Sequence, residues 1–135
     1  MESLLIKYLV TFLVGLVFGV ERELRNKPAG MRTHILVSLG SLTFTLIAIE
    51  FFGIEAARIV ANIIVGIGFI GAGTILRLSD EKIVGLTTAA SLWLTSAISA
   101  AIGLGYYLVA ILSTIFGIIT LLLKPLEYKL RKIKS

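Results

Sequence analysis

The chain is 135 residues long, is 57% hydrophobic, has no cysteine and carries a formal charge of +5. A mean hydropathy of +1.00 excludes a soluble domain of this size, which could not hide so many apolar side chains, and marks an integral membrane protein. The charge does not point to nucleic acid, because the basic residues sit in loops and at the tail as membrane topology requires; the missing cysteines exclude disulfides and thiolate metal sites.

Five apolar runs are predicted to cross the bilayer, at about residues 4–20, 35–52, 59–76, 86–102 and 106–123, followed by a basic tail at 124–135. The first run lacks the basic start and small-residue cleavage site of a signal peptide. Lys7 near its start can snorkel to the interface. Gly15 and Gly19 stand at GxxxG spacing, a candidate helix-contact face. The second run is interrupted only by Glu50. The third, IVANIIVGIGFIGAGTIL, is long enough to cross, since about 18 helical residues span roughly 27 Å. Gly66, Gly68, Gly71 and Gly73 fill its second half. Small residues let membrane helices approach closely, so the third run is predicted to be the central helix of the bundle, its glycine-rich half packed against its neighbours. The fourth run is dense in Ser, Thr and Ala. The fifth begins at Tyr106 and Tyr107, rings suited to the interface, and ends at Lys124-Pro125. The tail from Glu127 reads equally as an interfacial amphipathic helix or as a frayed stop-transfer end. The whole chain, 1–135, reads as one transmembrane domain.

Loop charges orient the bundle. With five spans, Arg22, Arg25, Lys27, Arg32, Arg77, Lys82, Lys124, Lys129, Arg131, Lys132 and Lys134 fall on one face, leaving Lys7 and Arg58 for the other. The positive-inside rule then gives an outer N-terminus and a cytoplasmic C-terminus. The expected fold is an all-α, polytopic membrane helix bundle.

On that threading, four helix ends meet at the inner side. They bring together Glu21 and Arg22, Arg32 and Thr33, the third-run glycines with Thr74, and Thr88. Charges in lipid must pair or face water, and Glu21 with Arg22 or Arg32 is a natural ion-pair set. The functional reading is a cytoplasm-facing cavity or docking surface; interfacial anchoring and helix capping is the plainer one. In the outer half, Arg58 and Asn62 lie one turn apart on one side of a helix. Arg58 reads either as a snorkel or as part of a polar pocket. Asn62 reads first as an interhelical hydrogen bond, since a buried amide in lipid needs partners. His34, the single histidine, reads as an interfacial or capping residue, and Trp93 as core packing or a helix contact. Glu21, Glu23, Glu50, Glu55 and Asp80 are split across both faces, so no all-protein Mg²⁺ site is expected. GIGFIGAG lacks the GK[ST] of a phosphate loop, and the Ser and Thr residues of the fourth run have no basic partner at triad spacing.

The segments GLVFGVERE, AGMRTHILVSLGSLTF, ARIVANIIVGIGFIGAGTIL and GLTTAASLWLTSAISAAIGLGYY resemble the signature blocks of the MgtC/SapB family of membrane proteins, in the family's order and spacing, from about Gly15 to Tyr107. The resemblance implies a five-span inner-membrane protein. Its best-known members support growth in low magnesium and survival of pathogens inside macrophages, and one restrains the membrane-embedded ATP synthase. It implies no enzymatic reaction and no cofactor. The family's motif positions fall on Gly15, Gly19, Glu21 and Arg22; on Ala29, Gly30, Arg32 and Thr33; on Arg58, Asn62, Gly66, Gly68, Phe69, Gly71 and Gly73; and on Gly85, Leu86, Thr88, Ala89, Ala90 and Trp93. Val84 departs from the arginine that many relatives carry there. The soluble C-terminal domain of longer members has no counterpart before Ser135, so a role resting on it is not carried over. Two functions stand as expectations. One is a non-enzymatic regulator, linked to magnesium limitation, that docks another membrane complex through Glu21, Arg22, Arg32, Thr33, Thr88 and the glycine face. The other is a homo-oligomeric transporter or channel moving an ion or solute past Asn62, Arg58 and the inner cluster. A polar stripe along the third and fourth spans favours transport; a cluster confined to one end favours docking.

Overall fold

A computed structural model describes residues 2–77 and 83–124. Residues 78–82, with Asp80 and Lys82, and residues 125–135 of the basic tail lie outside the described residues. Among the described residues five α-helices form: α1 (Glu2–Leu24), α2 (Met31–Phe52), α3 (Ala56–Ala72), α4 (Leu86–Leu104) and α5 (Tyr107–Leu122). A short 3-10 turn, Gly53–Glu55, joins α2 to α3. Two two-residue strands, β1 (Leu76–Arg77) and β2 (Ile83–Val84), pair antiparallel between α3 and α4. The molecule is an all-α bundle of membrane type. Three helical segments, Ser3–Leu24, Met31–Ala72 and Leu86–Gly103, are long and apolar enough to cross a bilayer, and Tyr107–Leu122 is a shorter apolar helix.

The helices alternate in direction. One end of the bundle therefore collects Lys7, the end of α2, the start of α3 and Gly103. The other collects Arg22, the start of α2, the end of α3, Thr88 and Lys124. The third predicted span ends earlier than its hydropathy suggests, because the chain leaves the helix at Gly73 and enters the β-hairpin. Gly85 closes that hairpin at φ 93°. A Cβ there would collide with the Thr74 carbonyl, so both the left-handed backbone and the close approach demand glycine.

The centre of the bundle is α2 against α4, not α3. In α4, 56% of the spanning window is buried, against 22% in α1. The main core joins Val14 and Phe18 of α1, Leu42 of α2, Ile98 and Ile102 of α4, and Ala110 and Leu121 of α5. A second core joins Ala29, Val37, Ile67 and Leu92. The α1–α2 contact uses the GxxxG pair: a Cβ on Gly15 would sit 2.8 Å from Ile35 Cα, and one on Gly19 would collide with Met31 Cα.

In α3 only Ile67 and Gly71 are buried. A Cβ on Gly71 would touch Ala89 of α4 at 3.4 Å, whereas Gly66 and Gly68 have nothing within 4 Å. The expectation of a central helix whose glycine-rich half packs against its neighbours is therefore corrected. The glycines of one apolar run divide between a helix contact and an open face, and hydropathy is blind to which side of a helix a residue occupies. Gly73 ends the helix beside the Ile70 carbonyl rather than packing against a neighbour. Trp93 also departs from expectation. It is 48% exposed on the outside of α4, where an indole ring faces lipid.

Candidate functional site

The buried stripe of α1 runs Thr11, Val14, Phe18 and Arg22 at spacings of three and four. It carries a guanidinium into the bundle, with the Arg22 side chain only 4% exposed. Arg22 Nη1 donates to Glu21 Oε2 at 3.2 Å, and Nη2 donates to Thr88 Oγ1 at 3.2 Å in the first turn of α4. The other oxygen of Glu21 accepts from Arg25 Nε one turn on. Arg22 Nε has no partner among the described residues. Pairing with Glu21 is what makes burial of the Arg22 guanidinium tolerable.

His34 completes the tie. It is fully buried. Its Nδ1 lies 3.0 Å from the Gly30 carbonyl, which can only accept, so Nδ1 donates there. Its Nε2 lies 3.0 Å from Ser91 Oγ, a hydroxyl that also reaches the Thr88 carbonyl at 2.8 Å. Arg22 thus ties α1 to α4, and His34 ties α2 to α4 one turn deeper. The α1–α2 loop is fixed from below: Glu23 Oε2 accepts from Met31 N at 3.2 Å, and Lys27 N donates to the Arg22 carbonyl at 3.0 Å.

From this knot a hydroxyl seam runs along the α2–α4 interface. Ser38, Ser41 and Thr45 of α2 face Ser91, Thr95, Ser96 and Ser99 of α4, and all are buried. Ser41 and Ser96 bond across the interface at 2.7 Å. The others donate back to carbonyls of their own helices, as Ser38 to His34, Thr45 to Ser41, Thr95 to Ser91 and Ser99 to Thr95 do. At the far end Lys7 Nζ donates to the Gly103 carbonyl at 2.8 Å. Lys7 is therefore not a snorkel to the interface; it caps the negative C-terminal end of α4.

The predicted site residues separate into three groups. Glu21, Arg22 and Thr88 come together in the buried knot. Arg32 is exposed and Thr33 half-buried on the first turn of α2, outside that hydrogen-bond network. Arg58 and Asn62 lie at the opposite half of the bundle. Arg58 Nε bonds Glu55 Oε2 at 3.2 Å, and its side chain is 78% exposed, so it lines no closed polar pocket. Asn62 borders an open groove between α2 and α3 of about 550 Å³, with Gly40, Ser41, Phe44 and Gly66 among its walls. The sequence reading missed His34 and Ser91 as site residues. Their signal was present: His34, Ser38, Ser41 and Thr45 repeat at spacings of four and three, as do Thr88, Ser91, Thr95 and Ser99, which puts each set on one helix face.

Outside the knot, the rim is basic. Lys27 stands among Arg25, Arg22 and Lys124, and its ammonium is held below the usual lysine range. The first cause is partial burial; the second is repulsion from Lys124, Arg22 and Arg25, which the pull of Glu21 only partly offsets. No group of three His, Cys, Asp or Glu able to hold a metal ion occurs among the described residues. Because Arg58 is exposed, Arg58→Ala is expected to change fold stability by no more than about 0.5 kcal/mol, measured by thermal unfolding in detergent. A larger loss would place Arg58 inside the bundle.

Comparison with known proteins gives a family match over most of the chain. The model of the MgtC family matches residues 8–129. YhiD of Escherichia coli strain K12, provisionally named a magnesium transporter, is 40% identical over 112 residues, covering 76% of this chain and 52% of YhiD. SapB of Bacillus subtilis strain 168 is 39% identical over 132 residues, covering 91% of this chain and 57% of SapB. MgtC of Salmonella typhimurium strain LT2 is 39% identical over 111 residues, covering 82% of this chain and 48% of MgtC. The chain thus spans about half the length of these curated relatives. No solved structure matches it significantly.

Proposed function

The chain belongs to the MgtC family, and from that premise we propose that it is a non-enzymatic regulator of the inner membrane that docks another membrane protein under magnesium limitation. In this reading it crosses the bilayer five times, with Lys27 and Lys124 on the cytoplasmic side, where the basic loops belong. Docking uses the rim around the knot, with Arg25, Lys27 and Arg32 meeting an acidic surface of the partner. The membrane-embedded ATP synthase, which the family resemblance suggests, is the first partner to test.

The observation that carries this reading is the closed seam. It runs the length of α2 and α4, but its hydroxyls are spent on their own helices or on each other, and its ends are held by Arg22 and Lys7. Arg22, paired with Glu21, closes one mouth and Lys7 the other, and among the described residues no carboxylate lines the seam between them, so it offers a divalent cation no anionic ligand. The same seam also gives the transport reading its footing, because polar groups cross the whole bundle, and YhiD bears a transporter's name.

One pair of measurements separates the two. Under the docking reading, Lys27→Glu combined with Arg32→Glu keeps membrane insertion and loses both low-magnesium growth support and the co-purifying membrane protein. Reconstituted into liposomes, the wild-type chain moves no Mg²⁺. Magnesium flux through the wild-type chain would overturn docking in favour of transport.

A further inference from the structure

The outer face of α3 carries a pattern that a cytoplasmic-rim partner leaves unused. At about 100° per residue, Asn62 and Phe69 lie near the middle of that face. Arg58 and Val65 lie on one flank; Glu55 and Gly66 lie on the other. Phe69 is 80% exposed and Val65 is 62% exposed, while Gly66 has open space beside it. Glu55 and Arg58 are exposed as well, at 58% and 78% of their side chains. No hydrogen bond to Asn62 occurs among the described residues, although α3 is otherwise apolar in this stretch and lipid offers its amide no partner.

We propose that this face binds the same face of a second copy of the chain, in a parallel dimer whose two-fold axis runs along the membrane normal. Two copies in one membrane share a direction, so the symmetry is of this kind. A two-fold axis parallel to the helices sets one flank of each α3 against the opposite flank of the other. Arg58 then meets the partner's Glu55, and Glu55 the partner's Arg58. Val65 meets the partner's Gly66, a large residue against an open one, twice over. Phe69 enters the mouth of the partner's α2–α3 groove. At the axis Asn62 meets the partner's Asn62. A carboxamide both donates and accepts, so two of them close a reciprocal pair of hydrogen bonds. Charge, size and hydrogen-bond character are each complementary to themselves under the same operation. A lipid chain fills the groove but matches neither the amide nor the ion pair. A different protein has no reason to repeat all three in mirror order across one axis. The surface is separate from the rim assigned to docking, so either assignment can fail alone.

The test uses two differently tagged copies co-expressed in one membrane. Wild-type copies co-purify. Copies that both carry Arg58→Glu, or both carry Glu55→Arg, lose co-purification at least tenfold, because like charges now face each other. A mixture of one Arg58→Glu copy and one Glu55→Arg copy recovers it, since each mutated flank meets its opposite. A pair that mattered only inside one chain gives no such recovery. Asn62→Ala also lowers co-purification, with thermal unfolding of the bundle unchanged. Because the chain has no cysteine, Phe69→Cys provides a clean cross-link under copper phenanthroline, and Phe116→Cys on the exposed side of α5 serves as the control. The expected product is a dimer from Phe69→Cys alone. The proposal is overturned if wild-type copies do not co-purify, if same-variant pairs associate as well as the mixed pair, or if Phe69→Cys links to a protein of another mass or no better than Phe116→Cys.

Discussion

Gly19→Leu is expected to abolish the α1–α2 contact and with it most of the bundle's stability. A Cβ at Gly19 already collides with the backbone of Met31, and one at Gly15 lies 2.8 Å from Ile35 Cα. Backbone cannot rotate away as a side chain can, so the helices must part. Overpacking a core with flexible neighbours costs about 1–3 kcal/mol, and this position should exceed that range. Separation of α1 also pulls Arg22 from Thr88 and Lys7 from Gly103. Gly68→Leu provides the contrast, because nothing lies within 4 Å of that position. Thermal unfolding in detergent should show a collapse for Gly19→Leu and no change for Gly68→Leu. Equal effects at the two positions would mean that α3 and α1 have been placed wrongly in the bundle.

Arg22→Met is the second large effect. Methionine fills similar space without charge, so the loss is electrostatic rather than a cavity. It leaves Thr88 Oγ1 without its donor, and Glu21, whose side chain is 11% exposed, with Arg25 alone. Removing one member of a buried ion pair costs about 3–5 kcal/mol, and Arg25 should keep the result toward the low end. Arg22→Lys is expected to rescue little, because a single ammonium cannot reach Glu21 and Thr88 as the guanidinium fork does. Urea or thermal unfolding checks the size. A loss below about 1 kcal/mol, the scale of an exposed pair, would show that the knot is not closed in the folded protein.

The bundle's class, its helices and the meeting of Glu21, Arg22 and Thr88 were legible because each rests on local signals: apolar length, loop chemistry and charge that must pair. What escaped was rotational. Hydropathy placed the glycine run in the membrane but did not choose between Gly71, which touches α4, and Gly66, which faces away. The glycines and Asn62 of the third span point to a polar stripe on the third and fourth. It lies on the second and fourth. Hydroxyls at spacings of three and four in α2 announced it, but single Ser and Thr residues are easily dismissed because they bond their own helix. His34 reads from the sequence as an interfacial or capping residue, and the Gly30 bond agrees with a cap; the Ser91 bond depends on which helix lies opposite. The hairpin between β1 and β2 was hidden for a related reason, since its strands continue an apolar run.

The back-bonding of Ser38, Thr45, Thr95 and Ser99 bears on how the chain is made. During synthesis a segment leaves the translocon before its later neighbours exist. The Leu86–Gly103 segment, with a mean hydropathy of 1.3, is the least apolar of the three long ones, yet its Thr95 and Ser99 protons are already occupied by its own carbonyls. It can enter lipid with those hydroxyls already satisfied, while Ser91 and Ser96 of the seam bond to α2. Lys7, Arg22, His34 and Ser41 bond across to α4, so α1 and α2 reach the bilayer early with obligations that the arrival of α4 discharges.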